Sequence, residues 1–328
     1  MKGKRILYGA SLLFAILIII ILIYISDYQR FLDNLMLMNI LFIVPITLVY
    51  TLGWLFRGFR WGGILSTSDR KVGTLTSTKL YLVGNTANLV VPAKLGDMVK
   101  VYAVKKLFGI EYHRGLSSVL IDRYFDLIAI LILGLVLLPF VINPGLPTWT
   151  TGIFLACFIL TACVLIMLLF LLRTGNGGNE TSSSSWLYKN LSKLWKAMRS
   201  MALDRRKMAA SFLASLAIWT LECLVTYLFT LALGFDVDVL VIFFAIILAN
   251  MTKVLPLTPG GIGPYEVAFS AVLVSLTGVG MDVALSIIVL DHVFKNTYTL
   301  ILGAFAGWST GINITSIRGE ATDVAEKN

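Results

Sequence analysis

The most prominent feature of the chain is a series of long apolar runs separated by short polar stretches. Six of these runs approach or exceed the roughly 20 apolar residues that a helix needs to cross a bilayer. They cover about residues 6–25, 39–56, 115–142, 150–172, 208–233 and 283–308. The pattern predicts an all-α, polytopic membrane protein with about six spanning helices.

Two shorter apolar stretches lead into clusters of proline and glycine. Residues 80–91 precede PAKLGD (residues 92–97), and residues 239–255 precede PLTPGGIGPYE (residues 256–266). Proline removes a helix hydrogen bond, and glycine tolerates backbone conformations that end a helix. We therefore predict two re-entrant half-helix hairpins. Their predicted hinge residues are Pro92, Pro259 and Pro264.

Polar segments between and after the runs have distinct patterns. Residues 173–185, which include TGNGGNETSSSS, have the composition of a flexible linker. Residues 186–206 place apolar side chains on one helical face and lysines largely elsewhere, which is typical of an amphipathic helix on a membrane surface. Residues 26–38 are predicted to form a short loop, and residues 311–328 a polar tail.

Composition and charge exclude a soluble protein. The chain is 58% hydrophobic and 14% charged, whereas soluble domains carry about 25% charged residues. The net charge of +9 does not indicate nucleic acid, because the basic residues follow the positive-inside rule if both termini are cytoplasmic. On that topology Arg57 and Arg60 flank the second span inside the cell. We expect a multi-pass protein of the plasma membrane.

The two proline–glycine motifs also suggest an internal repeat. PAKLGD and PGGIGP share the pattern P-x-x-[LI]-G, and each is preceded by an asparagine, Asn85 or Asn250, and followed by an acidic residue. The same order of elements recurs with opposite orientation in residues 1–145 and 146–310. We predict one membrane domain, residues 1–328, built as an inverted repeat whose broken helices meet near the midplane.

Each returning half-helix begins just after its break and points its N-terminus toward the membrane centre. Free N–H groups and the positive dipole end favour an anion there, and phosphate is the usual one. A lysine at this depth needs a partner. The alternatives are that the acidic residues only cap their own helices and that the lysines form internal salt bridges. The predicted substrate-binding residues are Lys94, Asp97, Arg123, Lys253, Gly260, Gly261, Gly263 and Glu266.

Further charged residues lie inside the apolar runs. Asp122 and Asp126 share one helix face, and Asp291 and Lys295 are spaced to pair along a helix. They are predicted to form a gate or a charge network together with Glu222, and interfacial anchoring is the alternative. His292 is next to Asp291 and could titrate.

Signals for enzymatic chemistry are sparse. The sequence lacks a phosphate-binding G-x-x-x-x-G-K-[ST] loop, an H-E-x-x-H motif and a G-x-S-x-G motif. Asp236 and Asp238 are spaced like a metal or sugar-nucleotide carboxylate pair, although a short solvated turn also explains them. We expect no cofactor, no metal site and no catalytic residue.

The chain resembles the membrane domain of lysylphosphatidylglycerol synthases, the flippase-like integral membrane proteins, over nearly its whole length. The likeness rests on NTANLVVPAKLGDMVKVYAVKKLFG, SSVLIDRYFDLIAIL and PLTPGGIGPYEVAF. Family members have an acidic residue, an arginine and a following aspartate in the second motif, here Asp122, Arg123 and Asp126. In the first motif they often have arginine after glycine, whereas Asp97 follows Gly96 here.

The resemblance implies translocation of lipid between leaflets, or support of lipid or glycolipid synthesis. About twenty polar residues follow the sixth run, so we do not expect lysyl transfer. The leading hypothesis is a translocator of a phospholipid or lipid-linked intermediate, with the phosphate bound between the two hairpin tips. Alternatives are a membrane-embedded transferase or its accessory subunit, which would bring a lipid-synthesis enzyme as partner, and a small-solute or ion transporter. The sequence does not indicate an oligomeric state.

Overall fold

The computed structural model describes residues 27–67, 71–90, 96–141, 186–253, 258 and 261–312, with scattered positions between 17 and 24 and between 152 and 166. All regular structure in this part of the chain is helical, which confirms the all-α prediction. A 3-10 turn covers Ile40–Phe42. The helices are α1 (Tyr28–Met36), α2 (Ile43–Leu65), α3 (Thr74–Val90), α4 (Gly96–Phe108), α5 (Tyr112–Val141), α6 (Trp186–Ala202), α7 (Arg205–Ala232), α8 (Val239–Thr252), α9 (Pro264–Thr277) and α10 (Met281–Thr310).

Within the described residues, four stretches of helix are long and apolar enough to cross a membrane. They are Ile40–Leu65, Tyr112–Val141, Arg205–Ala232 and Met281–Thr310. These correspond to α2 with its 3-10 turn, α5, α7 and α10, and they coincide with the second, third, fifth and sixth predicted spans. The first and fourth predicted spans lie mostly outside the described residues. The linker at 173–185 and the tail beyond residue 312 lie outside them as well.

The short helices form two pairs. α3 packs against α4, and α8 packs against α9; we call these pairs hairpin one and hairpin two. A helix of 14 residues, such as α8 or α9, is about 21 Å long, less than the roughly 30 Å of a bilayer core. The described helices flank both predicted breaks, since α3 ends at Val90 and α4 begins at Gly96, and α8 ends at Thr252 and α9 begins at Pro264. Entry of the hairpins into the membrane stays a prediction.

Each hairpin packs against helices from both halves of the chain. Hairpin one lies against α2 and against α10, whereas α8 of hairpin two lies against α5 and α7. Small residues bring α3 close to its neighbours, since a β-carbon on Gly58 would lie 1.9 Å from Thr78 Oγ1 and one on Gly303 1.8 Å from Thr86 Oγ1. Hairpin two instead packs within an aliphatic cluster that includes Ile246.

Residues 26–38 are not the predicted loop. Asp27 caps the first helix by accepting hydrogen bonds from the Gln29 and Arg30 amides. Phe31 of α1 is buried in the cluster around hairpin two, and Asn34 Nδ2 lies 3.4 Å from Asp282 Oδ2 on α10. The loop prediction was wrong because this nine-residue helix gains its stability from packing on α10.

The amphipathic helix begins at Trp186, as predicted, and ends at Ala202 instead of residue 206. The boundary shifts because Asp204 caps α7, accepting a hydrogen bond from the Lys207 amide at 3.1 Å. On its apolar side, Met198 and Met201 pack with residues of α2 and α5. Its contact with a membrane surface stays a prediction.

Candidate functional site

Hairpin one carries a closed cluster of charges. Asp97 is in the first turn of α4. Its carboxylate lies 3.1 Å from Lys100 Nζ and 3.2 Å from Arg123 Nη2 on α5. Lys100 is fully buried. Two residues predicted to bind substrate, Asp97 and Arg123, are therefore brought together, but they neutralise each other.

At the start of α4, the backbone amide of hairpin one is also hydrogen-bonded within the protein. The Gly96 amide donates to Asn88 Oδ1 at 2.8 Å, which occupies one of the free N–H groups that a helix start presents. A β-carbon on Gly96 would lie 2.0 Å from the Gly84 carbonyl oxygen, so the two arms meet at backbone contact. Asn85 bonds only back along its own helix, to the Tyr81 carbonyl.

Arg60 on α2 organises the neighbouring carboxylates. Its guanidinium lies 2.8 Å from Asp122 Oδ1 and 2.7 Å from Asp126 Oδ1, and it donates to Ser215 on α7. Arg60 and Asp122 are almost entirely buried. Asp122 and Asp126 therefore lie in a charge network whose basic partner is Arg60. Arg60 belongs to it rather than to a cytoplasmic flank, because α2 continues to Leu65.

Tyr81 links the Arg60 network to hairpin one. Its hydroxyl donates to Asp122 Oδ2 at 2.7 Å, and its ring centroid lies 4.1 Å from Lys100 Nζ. A cation over an aromatic face is attracted by the electron-rich ring. Lys100 is therefore held both by the Tyr81 ring and by the Asp97 carboxylate.

In hairpin two the acidic residue caps its own helix. α9 begins at Pro264, in the first helical position as predicted. The Gly263 amide donates to Glu266 Oε2 at 2.7 Å, and the other Glu266 oxygen contacts His292 Nδ1 on α10. Both oxygens of Glu266 are therefore engaged.

The amides of Gly261 and Gly263, which were predicted to bind a ligand, form hydrogen bonds within the turn. The Gly263 amide is used by Glu266, and the Gly261 amide donates to the Thr258 carbonyl at 3.2 Å. Both glycines have positive φ, 80° and 96°, so they are needed for the shape of the turn. Capping by Glu266, one of the alternatives left open by the sequence, is present in hairpin two.

Lys253 differs from the other cations of this region. It follows α8, and its ammonium lies 3.5 Å from the ring centroid of Tyr265. Within the described residues, no carboxylate lies within 4 Å of its nitrogen. The side chain is half-buried. Lys253 therefore has no acidic partner among the described residues.

Behind Tyr265 lies a second charge network. The Tyr265 hydroxyl donates to Asp291 Oδ2 at 3.1 Å, and Asp291 Oδ1 lies 2.8 Å from Lys295 Nζ. Lys295 also lies 2.9 Å from Glu222 Oε2 on α7, and Glu222 pairs with Arg57 on α2. The predicted network of Glu222, Asp291 and Lys295 is therefore present, and Arg57 joins it.

Four predicted site residues fall outside the described residues: Pro92, Lys94, Pro259 and Gly260. Their roles stay predictions. Asp236 and Asp238 are both exposed, and Asp238 caps α8 by accepting from the Leu240 amide. In the part of the chain that the structure describes, His, Cys, Asp and Glu side chains form no group of three suited to a metal ion.

The charged residues of α5 and α10 belong to a sequence repeat. DRYFDLIAILILG (residues 122–134) and DHVFKNTYTLILG (residues 291–303) share D, F and the run LILG at equal spacing. In both halves the aspartate accepts from a hairpin tyrosine, and the following basic residue contacts the hairpin carboxylate.

Five residues of these networks were not predicted as site residues from the sequence: Arg57, Arg60, Tyr81, Lys100 and Tyr265.

Comparison with known proteins supports the resemblance. A sequence profile of the family described as "Lysylphosphatidylglycerol synthase TM region" matches residues 11–303. The glycosyltransferase AglD of Haloferax volcanii is 30% identical over 322 residues, which cover 87% of this chain and 51% of AglD. This chain therefore spans about half the length of AglD.

Two relatives are similar to this chain over nearly their whole length. A UPF0104 membrane protein of Methanothermobacter thermautotrophicus is 30% identical over 308 residues, which cover 86% of this chain and 88% of the relative. A UPF0104 membrane protein of Pyrococcus horikoshii is 22% identical over 89% of this chain and 94% of its own length.

Proposed function

We propose that this chain, which belongs to the lysylphosphatidylglycerol synthase transmembrane-region family, moves a phosphate-bearing lipid between membrane leaflets. Lys253 binds the headgroup phosphate at hairpin two. The observation that carries this proposal is the ammonium of Lys253, which lies over the Tyr265 ring and has no carboxylate within 4 Å among the described residues.

Energetics favour a ligand at Lys253. A lysine at the centre of a membrane helix costs about 2.5–3.5 kcal/mol on insertion scales. Lys100 and Lys295 offset such a cost with Asp97, Glu222 and Asp291. Lys253 offsets it only with a ring. A phosphate would supply the missing anion and accept the ammonium hydrogen bonds.

The paired architecture supports a transport mechanism. We propose that residues 1–145 and 146–310 form an inverted repeat with six spans and two re-entrant hairpins, oriented with cytoplasmic termini in the plasma membrane. Matched contacts support this arrangement, since Asp122 and Asp291 hold equivalent positions relative to Tyr81 and Tyr265. Alternating exposure of a midplane site is the usual use of such repeats.

The test is leaflet exchange of a fluorescent phosphatidylglycerol by the purified full chain in liposomes. Lys253→Ala should slow exchange by at least about tenfold, because a hydrogen bond to a charged group is worth about 1.5–3 kcal/mol. Lys253→Arg should retain most of the rate. Lys79→Ala, which removes an exposed lysine from α3, is the matched control. A folded Lys253→Ala protein with wild-type exchange would remove the proposal.

A second candidate is a membrane-embedded transferase, or an accessory subunit of lipid or glycolipid synthesis. It is favoured by the 30% identity to AglD, which is named a glycosyltransferase. Incubation of the purified chain with a polyprenyl phosphate and a radiolabelled sugar nucleotide distinguishes the two. A labelled lipid product that disappears in Lys253→Ala, with no leaflet exchange by the wild type, would establish this candidate instead.

A further inference from the structure

We infer that Tyr265 is the positioning residue of the phosphate site, because it holds the Lys253 ammonium in place while leaving its charge available to the headgroup. This inference rests on the proposed function and concerns the same site. It assigns to Tyr265 a role that a carboxylate plays elsewhere in the protein.

The position of the Tyr265 ring is fixed from behind. Tyr265 is almost entirely buried, and its hydroxyl donates to Asp291 Oδ2. Asp291 is held in turn by the Thr226 hydroxyl at 2.7 Å and by Lys295 at 2.8 Å. The Asp291 carboxylate, which accepts from Tyr265, is thus engaged by three groups. Tyr265 presents its ring face to Lys253.

The stem of Lys253 is confined on its other side by the hairpin backbone. A β-carbon on Gly261 would lie 2.8 Å from Lys253 Cγ and 3.0 Å from its Cε. The stem therefore runs along a glycine while the ammonium rests on a ring. This arrangement limits the positions that the ammonium can take.

An aromatic face differs from a carboxylate in what it leaves free. A ring attracts a cation through its quadrupole, but it provides no oxygen acceptor for the three ammonium N–H groups. Lys100 lies over Tyr81 in the same manner and is also paired with Asp97 at 3.1 Å. Lys253 retains the ring and lacks the carboxylate, so its hydrogen-bond donors stay available to a phosphate oxygen.

The experiment measures exchange of fluorescent phosphatidylglycerol as a function of its mole fraction in liposomes, for the full chain. Tyr265→Phe loses the bond to Asp291 but keeps the ring and the burial that confines it, so exchange should stay within about twofold of wild type. Tyr265→Leu removes the ring and should raise the half-saturating mole fraction about tenfold, as expected for a desolvated cation–π contact. In the Lys253→Ala background, Tyr265→Leu should cause no further loss. Tyr81→Leu in hairpin one is the matched control and should retain exchange per folded molecule.

The outcomes separate the two proposals. Wild-type half-saturation in Tyr265→Leu, equal loss in Tyr265→Phe and Tyr265→Leu, or an additive loss with Lys253→Ala would each overturn the positioning role. If Tyr265→Leu does not fold, Tyr265→Met fills similar volume without a ring and takes its place with the same expectation. Slow exchange in Lys253→Ala with a normal Tyr265→Leu removes only this inference, whereas normal exchange in Lys253→Ala removes the proposed function.

Discussion

The two hairpins contain similar charged and aromatic residues, but their acidic residues contact different partners. Each has a lysine over a tyrosine ring, and each tyrosine donates to an aspartate of the span that follows. In hairpin one, Asp97 adds a carboxylate to Lys100. In hairpin two, Glu266 instead contacts His292 and caps α9. A repeated scaffold can therefore pair the lysine with a carboxylate in one hairpin and leave the lysine of the other hairpin available to a ligand.

The largest expected effect is the loss of stability when Lys100 of hairpin one is replaced. Lys100→Met should destabilise the protein by about 3–5 kcal/mol, because it removes a fully buried partner of Asp97. Thermal unfolding in detergent measures the effect. Exposed Lys79→Met serves as the control. A Lys100→Met protein as stable as wild type would contradict the view that hairpin one is a closed ion-pair cluster.

The equivalent glycines of α5 and α10 should respond differently to a methyl group. Gly303→Ala should cost about 2–3 kcal/mol, because the new carbon would meet Thr86 Oγ1 at 1.8 Å and the Leu82 carbonyl at 3.0 Å. Gly134→Ala should cost only about 1 kcal/mol, because its nearest neighbour is the Phe158 ring, a side chain able to shift. Unfolding midpoints of the two variants give the comparison, and equal losses would contradict it.

The cap at the tip of hairpin one should have a smaller effect. Asn88→Ala should cost about 1 kcal/mol, because it leaves the Gly96 amide without its acceptor. Asn85→Ala is the matched control, since its side chain bonds only to the Tyr81 carbonyl of the same helix. The two variants are compared by denaturant unfolding, and a larger loss from Asn85→Ala would reverse the assignment.

The smallest stability effect is expected where the functional effect is largest. Lys253→Met should not lower the free energy of unfolding, because no carboxylate among the described residues loses a partner and an unpaired lysine in a membrane is itself costly. Unfolding and leaflet exchange are measured on the same preparation. Strong destabilisation by Lys253→Met would indicate a structural lysine like Lys100 and would erase the difference between the hairpins.

Features that depend on residues close together in the sequence could be predicted from it. The proline and glycine cluster starts α9 at Pro264, where predicted, because these residues act locally on the backbone. The end of α8, at Thr252, comes three residues before the predicted Leu255. The helix α1 was missed although Asp27 and the spacing of Phe31, Leu32 and Leu35 are visible. Nine residues give too little periodicity to distinguish a helix from a loop without knowledge of α10.

The site was predictable only in part because its partners are distant in sequence. Lys253 and Glu266 were chosen for their place beside the break. Arg60 and Asp122 are 62 residues apart, and Arg57 and Glu222 are 165 apart, so their pairing follows from tertiary packing alone. No local pattern indicates that an ammonium will lie over a ring, which is why Tyr265 was missed. The glycine amides are used by the turn itself.

The contact between α1 and α10 bears on how the protein is made. Asn34 and Asp282 are 248 residues apart in the chain. At about 5–20 residues per second, the ribosome completes Asp282 about 12–50 s after Asn34. During that interval α10 is not yet synthesised, so α1 lacks its packing partner and the apolar surface around Phe31 is not covered by α10. Biogenesis therefore depends on shielding this surface by lipid or by the insertion machinery until the last span arrives.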